Sequence, residues 1–467
     1  MRIWAPLFLV LVTFLFISPL AFGGDTTTTS FPLRIAENGR YLLDGGGRPF
    51  RINADAAWFA STHATLPQID IYLADRKKKG FNTIVLMALT HLTPNNREGV
   101  APFLKKNDFS TPNEPYFAFL DAIIDKAAAQ GMAVLFAYTY LGANGGDEGW
   151  WSALLDERNT LSVCHDWGVW LGNRYKGRGN IIWLAGGDYA PPAGSEGERR
   201  TLSILKGIKA SGAEQLFAAQ WGPPDSLATD ESAFAPFIDI NTIYGYGPHG
   251  NGATYDTARR AYEEVPARPV VLFEPNYEDE RVGGTGLRQD VRRSQYWAVL
   301  GGATAGQNFG TKGIWNWQQP GWIDWVWNRS ANWADRLDTP GSLDMKHLFS
   351  LFAALPWEDL RPSGGLRRVG PVGPDDSREF IATATTPDSD WLVAYFPPTG
   401  AGSQTAQLDM SIMSGPATAR WFNPATGEYT AIDPSLPNAG LRLFSTPGNN
   451  GTGTNDWVLV LEAIAKH

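Results

Sequence analysis

Short apolar runs that alternate with longer amphipathic stretches constrain this chain more than any other feature. Runs rich in Val, Ile, Leu and Phe occupy 50–55, 81–87, 132–137, 180–185, 215–220, 238–244 and 269–274. The stretch from Gly302 through Trp315 supplies an eighth position. Helical periodicity fills 67–79, 116–130, 160–175, 198–210, 254–264, 290–300 and 343–355. Apolar strands without inside–outside alternation are buried on both faces, as in a parallel sheet covered by helices. Eight strands alternating with these helical segments predict a closed (β/α)₈ TIM barrel over an open doubly wound sheet, spanning 33–362. No Gly-x-Gly-x-x-Gly follows the first strand and no Walker-type loop occurs, which argues against nucleotide binding.

After Pro362 the pattern changes. Short strands at 378–384, 391–396, 418–422, 442–444 and 456–461 are separated by turn formers such as Thr446-Pro447-Gly448-Asn449-Asn450-Gly451. Helical period is absent, so 363–467 reads as a small all-β sandwich domain. At the other end, Arg2 followed by an apolar run from Leu7 to Ile17 and small residues up to Gly23 reads as a signal peptide over 1–23. Residues 24–32 then form a linker. The run carries no lipobox cysteine, so the expected product is secreted or periplasmic with no membrane span after cleavage. The single cysteine, Cys164, forms no internal disulfide and reads as a buried, inert thiol.

The net charge of −9 argues against a nucleic-acid partner. The longest basic run, Arg76 to Lys79, reads as the solvated face of a helix. Nineteen tryptophans, six of them between Trp315 and Trp333, offer flat apolar faces with one N–H each, suited to sugars or to packing under a barrel rim.

In such a barrel the site forms where the strands end. The residues closing or following the apolar runs are Asp55 with Trp58, His91, Tyr138 and Tyr140, Asp188, Gln220 with Trp221, Tyr244 and Tyr246, Glu274 with Asn276, and Asn308 with Trp315 and Trp317. No Lys or Arg is among them, which disfavours a phosphate substrate. Asp188 and Glu274 end the fourth and seventh runs, across the mouth from one another. A charge there is expensive unless solvated or partnered. Two carboxyls flanking a glycosidic bond act as acid/base and nucleophile, without metal or cofactor. The same two residues could instead be strand-end charges tied to neighbours. Expected substrate contacts are Asp55, Trp58, His91, Tyr140, Gln220, Tyr246, Asn276 and Trp315. No His, Cys or acidic group shows metal-ligand spacing.

Several motifs occur together in order: Asn38-Gly39-Arg40-Tyr41, Asp55-Ala56-Ala57-Trp58, Lys79-Gly80-Phe81-Asn82, Gly186-Gly187-Asp188, Phe273-Glu274, Gly306-Gln307-Asn308-Phe309-Gly310, Pro356-Trp357 and Trp421-Phe422-Asn423-Pro424-Ala425-Thr426-Gly427. In these the chain resembles the apiosidase-like TIM-barrel glycoside hydrolases, glycoside hydrolase family 140, with their C-terminal collagen-binding-type β-module. The resemblance implies Asp188 as acid/base and Glu274 as nucleophile. The chain departs from the pattern at Gln307 and Phe309, where histidine and tyrosine are expected, and at Ala56, where threonine is usual. Placed near the rim, those changes would alter the substrate. The expected activity is an exported glycoside hydrolase acting on a plant or microbial polysaccharide or its side chains by a retaining mechanism. The alternatives are a non-catalytic carbohydrate- or matrix-binding protein and an endo-β-glucanase-like hydrolase.

Overall fold

The computed structural model describes residues 29–90, 95–147, 149–223, 225–245, 252–280, 286–319, 332–369, 379–400 and 402–464. Eight parallel strands form the barrel: β1 (Ile52–Ala56), β2 (Thr83–Met87), β3 (Ala133–Ala137), β4 (Ile181–Gly186), β5 (Phe217–Gln220), β6 (Asn241–Tyr244), β7 (Val270–Glu274) and β8 (Gly306–Phe309). Pairing runs from β5 through β4, β3, β2, β1, β8 and β7 to β6. The last seam, between β6 and β5, is held by Ile240 N–H donating to Phe217 O at 3.0 Å and by the Thr242 hydroxyl donating to Ala219 O. Every residue of β2, β3 and β4 is buried, which is why those runs carry no alternation.

The helices of more than four residues are α1 (Leu66–Lys78), α2 (Glu114–Ala129), α3 (Leu161–Tyr175), α4 (Glu196–Ala210), α5 (Gly252–Glu263), α6 (Arg288–Leu300) and α7 (Pro340–Ala353). Side-chain caps start four of them. Thr65 forms a capping box with Gln68, and Thr160, Ser195 and Thr339 each accept an N–H of the first turn. No long helix follows β5, where none is read in the sequence either. The chain there makes a two-residue strand, Ser226–Leu227, antiparallel to β6, and a 3₁₀ turn at Ala235–Phe237. Gly222, Pro223 and Pro236 in this stretch deny it a helical ladder.

The C-terminal module has eight strands: β9 (Arg361–Val369), β10 (Ile381–Thr385), β11 (Trp391–Phe396), β12 (Thr405–Asp409), β13 (Ala417–Phe422), β14 (Tyr429–Leu436), β15 (Leu441–Ser445) and β16 (Trp457–Ala463). β9 belongs to both layers of the sandwich. Its first half pairs with β10, and Arg367–Val369 pair with β12. β9 and β14 escape a reading of apolar runs because much of each is exposed, and β12 because its buried residues alternate with half-buried ones.

The larger sheet is covered on both faces. Leu392, Ala394, Leu459 and Leu461 face the second layer in a core of their own. Val393, Tyr395, Val458 and Val460 join the main core of the barrel. Tyr296 of α6 stacks on Tyr395 with ring centres 4.6 Å apart, and the Trp297 indole N–H donates to Phe380 O at 2.9 Å. Arg292 of α6 donates two hydrogen bonds to Asp456 of the module, at 2.7 and 2.8 Å, and one to Asp344 of α7 at 2.9 Å. Barrel and module therefore share a buried interface. Among the described residues no helix is long and apolar enough to cross a membrane.

Candidate active site

The fourth strand ends in three consecutive residues with positive φ: Gly186 at 86°, Gly187 at 107° and Asp188 at 56°. A Cβ on Gly186 would lie 2.1 Å from Gln220 O, and one on Gly187 would lie 2.5 Å from the Tyr140 ring. Glycine is therefore required twice by space and by backbone conformation. Aspartate is among the few side chains that tolerate the left-handed position. Asp188 Oδ2 accepts the Tyr140 hydroxyl at 2.5 Å, and Oδ1 accepts Gln220 Nε2 at 2.9 Å. Gly187→Ala is expected to push the Tyr140 ring off Asp188 and to destabilise the fold by about 1–3 kcal/mol, as overpacking does. Denaturant unfolding of both proteins checks this.

Glu274 reaches the same cavity by a different device. The β6–β7 register steps from Ile243↔Leu272 to Tyr244↔Glu274, so β7 carries one extra residue, Phe273, just before the carboxylate. A bulge of this kind re-aims the strand end. Glu274 Oε2 then accepts the Tyr277 hydroxyl at 2.9 Å and Gln220 Nε2 at 3.1 Å, while Oε1 takes part in neither bond. Tyr277 in turn accepts the Trp58 indole N–H at 3.0 Å. Asp188 and Glu274 oxygens that both bond to one nitrogen lie within about 6 Å of each other.

Burial raises the Glu274 carboxyl well above the usual carboxylate range, and the charge of Asp188 beside it adds to that. The Tyr277 hydrogen bond pulls the other way, and the charge of Glu280 raises it again. Two acids so close titrate as a pair. The hydroxyls of Tyr244 and Tyr277 are also driven well above their ordinary value, first by burial and then by these carboxylates, so both are neutral donors. Tyr244 also hydrogen-bonds Asp188.

A carboxyl raised in the folded state contributes stability below its ordinary value of 4.5, and that contribution is lost as pH rises through the raised value. Glu274→Gln is therefore expected to melt above the parent at about pH 7 and to lose that advantage near pH 4. Thermal melts of both proteins at the two pH values measure it.

Of the expected contacts, Trp58, Tyr140 and Gln220 converge on the two acids. The Trp58 ring also packs edge-on against Tyr140 and Phe273. Asn276 is buried two residues beyond Glu274. Trp315 is 8% exposed, packs on Phe59, and its indole N–H has no partner among the described residues. His91 and Tyr246 lie outside the described residues.

Asp55 is a correction. It is 0% exposed and points from the outer face of β1 onto α1, where Oδ2 accepts Tyr72 Oη at 2.6 Å and Arg76 Nε at 2.7 Å. It ties strand to helix and touches no substrate. The basic run is corrected with it, because Arg76 and Lys79 are buried while Lys77 and Lys78 are exposed. Gln307 and Phe309 are not at the rim either. Gln307 accepts from Arg51 and donates to Gln295 of α6 at 2.6 Å, and Phe309 packs on Phe81 in the barrel wall. Those two departures therefore concern the wall and not the substrate. Tyr277, absent from the expected contacts, sits three residues past Glu274, beyond any apolar run. Tyr244 is the aromatic that closes its strand beside the acids.

Among the described residues no group of three His, Cys, Asp or Glu could hold a metal ion. Cys164 is buried with its thiol pushed up to about 12 by burial, and it donates to Asn159 O.

The family model described as apiosidase-like, catalytic domain matches residues 36–359. The model described as "Putative collagen-binding domain of a collagenase" matches residues 368–462. No curated protein matches the chain. Among solved structures, one described as a glycoside hydrolase superposes with a TM-score of 0.79 at 23% identity, covering 94% of this chain and 99% of its own. A glycoside hydrolase family 5 protein from Bacteroides vulgatus also superposes with a TM-score of 0.79, at 22% identity, over 94% of this chain and 95% of its own. At these identities the likeness concerns fold, and it takes in barrel and module together.

Proposed function

The chain belongs to the apiosidase-like family and is a glycoside hydrolase, and from that premise we propose that it is exported and cleaves a glycosidic bond in a plant or microbial polysaccharide or its side chains with retention of configuration. Asp188 is the acid/base and Glu274 the nucleophile in this reading. The observation that carries it is the single amide nitrogen of Gln220 bonded to both carboxylates. With one oxygen of each acid within about 6 Å of the other's, the pair lies nearer the roughly 5–5.5 Å of a retaining pair than the 6.5–9.5 Å that an inverting pair needs for its water. The apolar run ahead of Gly23 supports export.

The roles follow from how each oxygen is held. Glu274 has one oxygen anchored by Tyr277 and Gln220 and one outside those bonds. In the first step Oε1 attacks the anomeric carbon, the carbon–oxygen bond to the leaving group breaks, and Asp188 gives its proton to the departing oxygen. In the second, Asp188 takes a proton from water, that water's oxygen bonds to the anomeric carbon, and the ester to Glu274 breaks. Neutral Tyr277 donating to Oε2 holds the carboxylate in plane and eases its ionisation.

Because Glu274 must be ionised to attack and its carboxyl is raised, the acid limb of the kcat/KM profile is expected above the ordinary 4.5. A panel of plant and microbial polysaccharides and aryl glycosides, incubated with the parent, Asp188→Asn and Glu274→Gln, tests the proposal. Sugar release by the parent and not by the variants is expected, and equal release by all three would refute it.

A further inference from the structure

Gln220 is 2% exposed and spends both hydrogens of its amide on acids, one on Asp188 Oδ1 and one on Glu274 Oε2. Its carbonyl oxygen is buried with no partner among the described residues. The amide is thus oriented by the two carboxylates and by little else. It closes β5, next to the fourth strand and two strands from the seventh, and its bonds to the two acids account for its chemistry without a substrate contact. A glutamine here does something a hydrophobe of equal size cannot. It places partial positive charge between two groups that otherwise repel one another.

From this geometry we propose that Gln220 is a positioning residue that fixes the spacing of Asp188 and Glu274 through one nitrogen and couples their protonation, favouring the states in which the pair holds one proton or none. The inference rests on the reading of these two acids as the working pair, and it deepens that reading. Among the described residues, the other titratable groups around them are Tyr140 at the end of β3, Tyr244 at the end of β6, and Tyr277 and Glu280 beyond β7. The tyrosines are donors that Gln220 does not touch, and Glu280 adds negative charge. Gln220 is therefore the one group among the described residues that bonds to both acids at once.

Removing the two donors without changing shape should favour the protonated forms, because both lost bonds are strongest to carboxylate. The variant is Gln220→Met. The measurement is carbon-13 NMR of protein labelled at the side-chain carboxyls of Asp and Glu, titrated with pH. Asp188→Asn and Glu274→Gln each delete one resonance and so assign the pair. The upper titration step of the pair is expected about one pH unit higher in Gln220→Met than in the parent. Unchanged steps in a folded Gln220→Met protein overturn the proposal. Gln220→Asn keeps the amide but is one methylene too short to reach both acids, and it carries the same expectation should the methionine variant not fold.

The readout needs no substrate, so the two readings fail separately. A shifted titration with no polysaccharide cleaved would remove the hydrolytic reading and leave the coupling. With a cleaved substrate in hand, kcat is expected to fall more than tenfold in Gln220→Met while KM stays within about threefold. A rise in KM alone would make Gln220 a substrate contact instead.

Discussion

Replacing Asp188 or Glu274 by its amide is expected to lower turnover at least about a thousandfold while each variant still unfolds in one cooperative transition. The fold should tolerate both changes. Asparagine accepts the left-handed backbone at 188, and its carbonyl can take the Gln220 hydrogen while its NH₂ meets Tyr140. At 274 the amide oxygen can occupy the Oε2 position, which accepts from both Tyr277 and Gln220.

Azide separates the two roles. When Glu274 is cut back to Gly, azide entering the vacated space attacks the anomeric carbon directly and should yield a glycosyl azide of inverted configuration. When Asp188 is cut back, an activated aryl glycoside still forms the ester on Glu274. Azide, which needs no general base, should then yield the retained product. The opposite pattern would exchange the assignments. No rescue in either variant would leave neither residue with its proposed role.

Asp456→Ala is expected to destabilise the protein by about 3–5 kcal/mol in denaturant unfolding. Burial alone would raise this carboxyl, but Arg292, Thr454 and Tyr395 hold it below the usual carboxylate range. Stability drawn from it is present above the ordinary aspartate value and falls away as pH drops below that. The alanine leaves Arg292, itself 1% exposed, with only Asp344 and Thr454. The double change Arg292→Met with Asp456→Leu should recover much of the loss, because it removes the unpaired charge as well. The link matters for the site because α6 directly follows the loop that leaves Glu274. A module fastened there by a buried ion pair, a stacked tyrosine pair and a shared core is part of the enzyme's framework. Unfolding of barrel and module in a single transition, in both parent and variant, is the accompanying expectation.

The barrel was legible because strands buried on both faces appear as contiguous apolar runs, and these runs differ in length and composition from the helices around them. Asp188 and Glu274 were legible for the same reason: each is a carboxylate set at the end of such a run. Asp55 ends a run just as visibly but points the other way. A strand alternates faces with every residue, and a run read from sequence does not fix its parity to one residue. The bulge at Phe273 shows the converse, since it reverses parity at the point where Glu274 needs it. Tyr277 was invisible because it stands past the strand, placed by a loop. The role of Gln220 lies in its distance to two residues 32 and 54 positions away. Gln307 and Phe309, expected near the rim, share one face of their strand, and that face turns toward the helices.

The configuration of the first sugar released tests the central claim most directly. Proton NMR during the first turnovers on any cleaved polysaccharide or aryl glycoside distinguishes the anomers before mutarotation mixes them. Two acids spaced as Asp188 and Glu274 are predict a product with the anomeric configuration of the bond that was cut. An inverted product would mean that water, and not Glu274, makes the attack.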